Sequence, residues 1–241
     1  MAYIASLQRA NHGSHFRAFG LRGMPGMIDP FLGVDHAWMS GPTFPPHPHS
    51  GFSAVSYLFL DSETGIINRD SVGNHNLIQP GGLHWATAGS GIVHEEVPAE
   101  NGKTVHSLQI FVNLPQERRN MEPFTLTLEP QDVPIAQLPG VRVRVPAGSF
   151  RELYSPLKLP TDVTILEVSL DDHAELSLPI ESGHCAFIMP IFGTISVDGQ
   201  SFGFSDLKLP VYPAQDIPQV ITLHSSGGTS KVMLFSGRPL N

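Results

Sequence analysis

Hydrophobic residues recur along this chain in short runs, separated by polar and turn-forming residues. Many runs alternate apolar and polar positions with a period of two, as in VRVRVP and AELSLPI, whereas helical periodicity is scarce. Valine, isoleucine, phenylalanine and threonine are frequent in these runs, as they are in β-strands. The pattern predicts an all-β protein of short antiparallel strands, arranged as sandwiches or barrels.

The two halves of the chain follow a similar design, each with a series of predicted strands. A polar, Pro-rich segment at residues 128–140 separates them, as a linker does. We therefore predict a first domain at 1–127 and a second at 128–241. Nine of the 12 histidines precede residue 128, so we expect the chemistry in the first domain and no metal site in the second. In the second half, Asp198-Gly199 predicts a two-residue hairpin turn.

Composition narrows the class of protein. The chain has 241 residues, of which 41% are hydrophobic and 15% charged, so it can bury a substantial core. The 23 glycines and 22 prolines are consistent with many turns. The net charge of -8, without a cluster of Lys or Arg, argues against direct binding of nucleic acid. A single cysteine, Cys185, excludes disulfides within the chain and cysteine-based zinc sites.

The first 20 residues contain no long apolar run, and they predict neither a signal peptide nor a membrane anchor. No other stretch reaches the length of a membrane span. We therefore expect a cytoplasmic protein without membrane contact.

The segment FPPHPHSGF, residues 44–52, places His47 and His49 two positions apart. Residues i and i+2 of a β-strand share a face, so both imidazoles point the same way if the segment is extended. Pro46 and Pro48 favour extended geometry in the residues that precede them. Pro48 also lacks a backbone donor, which favours a position on a sheet edge.

A second pair follows in AGSGIVHEEVP, where His94 and Glu96 share a strand face and Glu95 points away. If the two pairs lie on neighbouring strands, they offer three nitrogens and one carboxylate and leave one or two coordination positions open. Fe(II), Mn(II), Ni(II), Cu(II) and Zn(II) all accept such donors, and the donor types do not distinguish among these metals. The spacing thus predicts one divalent transition metal per chain.

The segments HPHSGF, PGGLHWATAGSGIVHEE and HSLQIFVNLP resemble the strongest segments of the pirin family. The resemblance is close from about Gly33 to Pro115 and weaker afterwards, apart from SGRPL near the end. It implies a bicupin, with a jelly-roll β-barrel in each half and one mononuclear metal, usually Fe(II), in the first. The metal ligands that it implies are His47, His49, His94 and Glu96.

The resemblance also implies two kinds of function. Some bacterial pirins are similar to quercetin 2,3-dioxygenases, which open the flavonol ring with O₂ and release carbon monoxide. We expect this activity, with a flavonol-like aromatic substrate and Glu96 as the base that accepts the proton of the 3-hydroxyl. Other pirins are iron-binding regulators of protein partners, and a cupin isomerase or decarboxylase would use the same four ligands. His106 and Gln109 are candidates for hydrogen bonds to the side chains of the metal ligands.

Overall fold

The computed structural model describes residues 2–240, and nearly all regular structure in this range is β, as the hydrophobic pattern predicts. No helix within this range is both long and apolar enough to cross a membrane. Three single-turn 3₁₀ helices lie at Gln116–Arg118, Pro130–Asp132 and Phe204–Asp206. In chain order the strands are β1 (Tyr3–Ser6), β2 (Gln8–His12), β3 (Phe16–Leu21), β4 (Phe31–Met39), β5 (His47–His49), β6 (Phe52–Leu58), β7 (Ile66–Asp70), β8 (His75–Ile78), β9 (Leu83–Thr87), β10 (Ile92–Pro98), β11 (Val105–Asn113), β12 (Phe124–Leu128), β13 (Ile135–Leu138), β14 (Val141–Ala147), β15 (Ser149–Phe150), β16 (Leu153–Tyr154), β17 (Val163–Leu170), β18 (Glu175–Ile180), β19 (Cys185–Phe192), β20 (Thr194–Val197), β21 (Gln200–Gly203), β22 (Lys208–Tyr212), β23 (Gln219–Ser225) and β24 (Ser230–Gly237).

The chain divides into two compact units. One comprises 8–23 and 31–132, and the other comprises 133–240 together with 2–7 and 24–30. The predicted domain boundaries, 1–127 and 128–241, come from the sequence alone and stay a prediction.

The unit of residues 8–23 and 31–132 consists of a seven-stranded and a four-stranded antiparallel sheet. The order of strands is β12-β9-β6-β11-β4-β3-β2 in the larger sheet and β5-β10-β7-β8 in the smaller. Alternation along β4 directs Gly33, Asp35, Ala37 and Met39 to one face of the larger sheet, and the three residues between them to the other. The smaller sheet contributes both pairs of candidate ligands, His47 with His49 on β5 and His94 with Glu96 on β10.

The other unit repeats this architecture. Its seven-stranded sheet has the order β1-β22-β19-β24-β17-β14-β13, and its four-stranded sheet has the order β18-β23-β20-β21. A large apolar cluster that includes Val143, Ile188 and Leu223 fills its core. The predicted hairpin is confirmed, because Asp198 and Gly199 connect β20 to β21 with positive φ angles of 48° and 82°.

Candidate metal centre

Strand pairing brings the two histidine pairs side by side. Edge strand β5 runs antiparallel to β10, with His47 opposite His94 and His49 opposite Ile92. Pro48 is tolerated between the two histidines because an edge strand has a neighbour on one side only. Since both pairs obey the period of two, their side chains converge on one face of the smaller sheet.

The three imidazoles form a compact group. Their ligand atoms all lie within 4.8 Å of one another, and Nε2 of His49 is 3.0 Å from Nε2 of His94. Nδ1 of His47 lies 2.9 Å from the carbonyl oxygen of Pro45. Donation of the Nδ1–H to this carbonyl leaves the Nε2 lone pair of His47 free to bind a cation. No such hydrogen bond holds Nδ1 of His94, which is buried without a partner in residues 2–240.

The protonation states of the group suit a metal. The pKa of His49 is lowered to about 4, by burial first and then by the neighbouring imidazoles of His94 and His47. The pKa of His94 is lowered to about 4 in the same way, by burial first and then by His47. Metal ligation requires neutral imidazole, so these two side chains are ready for ligation at neutral pH. Neutral, clustered nitrogen donors fit a divalent transition metal.

Glu96 lines the same cavity but lies outside the group of three histidines. Its two carboxylate oxygens lie 2.9 Å and 2.7 Å from the hydroxyl of Ser56, which donates to them from β6. Burial raises the pKa of Glu96, and the nearby His84, the Ser56 hydrogen bond and His47 oppose this rise. Glu95, as the period of two requires, points away and forms an ion pair with Arg69, with a nitrogen–oxygen distance of 3.6 Å.

A cavity of about 400 Å³ opens beside the histidines, within the size range of small-molecule sites. The wall contains the three histidines, Glu96 and Ser56, and its apolar part comes from both sheets. That apolar part includes Phe16, Met39, Phe44, Ile66 and Phe111.

Two further charged residues, Arg22 and Asp35, line this cavity and form an ion pair with each other. Sequence patterns do not identify them, because they lie 13 residues apart on either side of a loop. The available signals are Gly20 inside β3 and Gly33 inside β4, since glycine inside a strand often marks close approach of another group.

Gln109 and His106, the two candidates for hydrogen bonds to the metal ligands, have different positions. Gln109 lines the cavity, and its Oε1 lies 3.2 Å from the Ser56 hydroxyl. His106 is not part of the cavity wall. It lies on the opposite face of the larger sheet, with Nε2 2.6 Å from Nε2 of His36 and Nδ1 3.0 Å from the Asp61 carboxylate.

Comparison with solved structures confirms the predicted bicupin fold of two tandem cupin barrels. The crystal structure of GK1651 from Geobacillus kaustophilus superposes with a TM-score of 0.89 at 26% identity, over 99% of this chain and 96% of that one. Its agreement extends over both compact units.

Sequence comparisons identify relatives of this chain. "Putative quercetin 2,3-dioxygenase PA3240" of Pseudomonas aeruginosa is 27% identical over 230 residues, which cover 90% of this chain and 78% of that protein. Pirin-like protein At1g50590 of Arabidopsis thaliana is 36% identical over 170 residues, 69% of this chain, but the match spans only 54% of that protein.

A family model described as Pirin matches residues 12–112, a range that contains both histidine pairs. Pirin-1 of Arabidopsis thaliana is 30% identical over 240 residues, which cover 98% of this chain and 82% of that protein. By these matches, this chain belongs to the pirin family.

Proposed function

We propose that this protein is a metal-dependent cupin oxygenase that opens flavonols with O₂ and releases carbon monoxide. The observation that carries the proposal is the group of three histidines in the wall of a partly apolar cavity. A flavonol is flat and largely apolar, and such ligands suit cavities of this size with few polar groups. The relative named "Putative quercetin 2,3-dioxygenase PA3240" supports the same substrate class.

The metal ligands in this proposal are His47, His49, His94 and Glu96. When bound, a divalent transition metal supplies the Lewis acidity and the electronic coupling to O₂ that side chains lack. Fe(II) is our first choice because of the family, and Mn, Ni, Cu and Zn fit the same donors. The Nδ1–H···O contact of His47 with Pro45 fixes the orientation of one ligand before the metal arrives.

Glu96 is also the base in this proposal. Its raised pKa makes the carboxylate a better proton acceptor than an ordinary exposed glutamate, and the proton would come from the 3-hydroxyl of the substrate. Ser56 holds the carboxylate oxygens in place at 2.7 Å and 2.9 Å. Phe44 and Phe111 cover the cavity wall and reduce access of water to the reacting atoms.

The test compares Glu96→Gln with Glu95→Gln in protein reconstituted anaerobically with Fe(II). Oxygen consumption and carbon monoxide are measured with quercetin. General base catalysis contributes roughly a hundredfold to ten-thousandfold, so Glu96→Gln should lose activity by a factor of this order and keep much of its metal. Glu95→Gln is the matched control, because Glu95 lies one residue away on the opposite strand face, and its activity should persist.

Two outcomes would count against the proposal. Full turnover by Glu96→Gln would remove Glu96 as the base. Metal binding by the native chain without oxygen uptake or carbon monoxide would refute the oxygenase and favour the alternative, an iron-binding protein that regulates protein partners.

A further inference from the structure

Two glycines leave room for the ion pair in the cavity wall. A Cβ at Gly20 would lie 2.3 Å from Oδ1 of Asp35, and a Cβ at Gly33 would lie 2.2 Å from a terminal nitrogen of Arg22. Both glycines are inside strands, where glycine is less favourable than alanine. Neither has a positive φ angle, so glycine provides space at these positions and is not needed for the backbone conformation.

The ion pair keeps unused hydrogen-bonding capacity. The Arg22 guanidinium donates to the carbonyl oxygen of Leu21 at 3.1 Å and to Oδ2 of Asp35. A guanidinium has five N–H groups, so donors remain for a ligand. Oδ1 of Asp35 accepts no hydrogen bond from residues 2–240, although a carboxylate oxygen can accept more than one. A donor and an acceptor therefore stand next to each other in the wall.

Phe111 is near both this ion pair and the metal centre. The Arg22 guanidinium carbon is 5.2 Å from the centre of the Phe111 ring. The His49 ring centre is 6.0 Å from the Phe111 ring centre. An aromatic ligand that lies against Phe111 in this cavity is therefore close to both the histidines and the ion pair.

We propose that Arg22 and Asp35 are specificity-determining residues that bind a phenolic hydroxyl on an outer ring of the substrate. The hydroxyl donates its proton to the free oxygen of Asp35, and its oxygen accepts from Arg22. This inference rests on the proposed function, and it narrows the substrate class to flavonols with hydroxyls remote from the 3-hydroxyl.

The charges at this position favour a neutral ligand group. Arg22 and Asp35 compensate each other, so a carboxylate or phosphate would gain from the guanidinium but meet the adjacent Asp35 carboxylate. A phenol needs one acceptor and one donor, and the ion pair supplies both. A substrate without such a hydroxyl would leave Oδ1 of Asp35 and the remaining N–H groups of Arg22 without a ligand partner, which is the stronger source of discrimination.

The experiment measures dissociation constants for quercetin and for 3-hydroxyflavone, which has no hydroxyl on its outer rings. Binding is followed by calorimetry in the full chain, anaerobically, with and without Zn(II), which has no redox chemistry. Hydrogen bonds to charged groups contribute about 1.5–3 kcal/mol, so quercetin should bind about tenfold or more tightly than 3-hydroxyflavone.

Two variants test the source of this preference. Asp35→Asn removes the charged acceptor with little change of size, and Gly33→Ala displaces Arg22 while it keeps the guanidinium. In both, the ratio of the two dissociation constants should fall towards one. Arg69→Gln is the control, since Arg69 belongs to the Glu95 ion pair and is not part of the cavity wall, and it should keep the native ratio.

The outcomes separate this inference from the proposed function. Equal dissociation constants in the native chain, or a preference unchanged in both variants, would overturn the inference even if flavonols are turned over. A preference that both variants abolish would support it, even if no carbon monoxide is formed and the oxygenase proposal fails.

Discussion

The hydroxyl of Ser56 should hold Glu96 in its ionised form, and Ser56→Ala tests this directly. The hydroxyl lies 2.7 Å and 2.9 Å from the two carboxylate oxygens, and its single proton is shared between them. Burial raises the pKa of Glu96, whereas the Ser56 hydrogen bond lowers it. Alanine removes the hydrogen-bond donor and keeps the backbone of β6. The buried Glu96 carboxylate then lacks the hydrogen bond that opposes the effect of burial on its pKa.

The size of the effect follows from the kind of bond. A hydrogen bond to a charged group contributes about 1.5–3 kcal/mol, and this energy favours only the ionised carboxylate. Its loss should strengthen proton binding at Glu96 by about tenfold to a hundredfold, since 1.4 kcal/mol corresponds to a factor of ten. The pKa of Glu96 therefore rises in Ser56→Ala, and the acidic side of any pH–activity profile that depends on ionised Glu96 moves to higher pH.

Ionisation can be followed by NMR of ¹³C-labelled glutamate carboxyls in metal-free protein, with Glu96→Gln to assign the signal. Ser53→Ala is the matched control. Ser53 lies on the same strand and is fully buried, but its hydroxyl has no hydrogen-bond partner in residues 2–240. The Glu96 midpoint should rise in Ser56→Ala and stay constant in Ser53→Ala. An unchanged midpoint in Ser56→Ala would refute the role of this hydrogen bond.

Three further predictions concern the metal and the histidines. Elemental analysis of reconstituted protein should give one metal equivalent per chain, and two equivalents would contradict a single centre. Metal should raise the melting temperature, and chelation should lower it modestly without unfolding, because the apolar cores persist; calorimetric scans that coincide with and without metal would refute this. In metal-free protein, folded His49 and His94 have pKa values of about 4 against 6.5 for the unfolded chain, so the unfolded chain binds more protons between these values. Their contribution lowers the free energy of unfolding as pH falls from 6.5 towards 4. Denaturant titrations should show a shallower decline of this free energy with falling pH when both histidines are replaced by alanine. Equal pH dependence in the native chain and the double variant would refute this prediction.

The all-β class and the Asp198-Gly199 hairpin were predictable because both depend on local sequence. Alternating apolar and polar residues match the two faces of a strand, and an Asp-Gly pair adopts the positive φ angles of a tight turn at low cost. The same period of two predicts that Glu95 and Glu96 face opposite ways, and the structure confirms this.

The N-terminal strand illustrates what local sequence leaves open. β1 pairs with β22, with Tyr3 opposite Val211, and therefore belongs to the unit that contains the C-terminal half of the chain. The pairing joins residues that lie about 200 positions apart. Nothing in the period of β1 identifies its partner, because every strand offers the same backbone hydrogen-bonding groups.

The sequence by itself determined which side chains share a strand face, and so it determined the composition of each pair, His47 with His49 and His94 with Glu96. Only the tertiary structure decided that His94 lies opposite His47, that Ser56 reaches Glu96 across two sheets, and that an ion pair occupies the space left by two glycines. The physical reason is that side-chain direction follows from the local backbone, whereas strand partners and their register are selected by the packing of the whole barrel. A slip of one residue between β5 and β10 would keep every local preference and disperse the site.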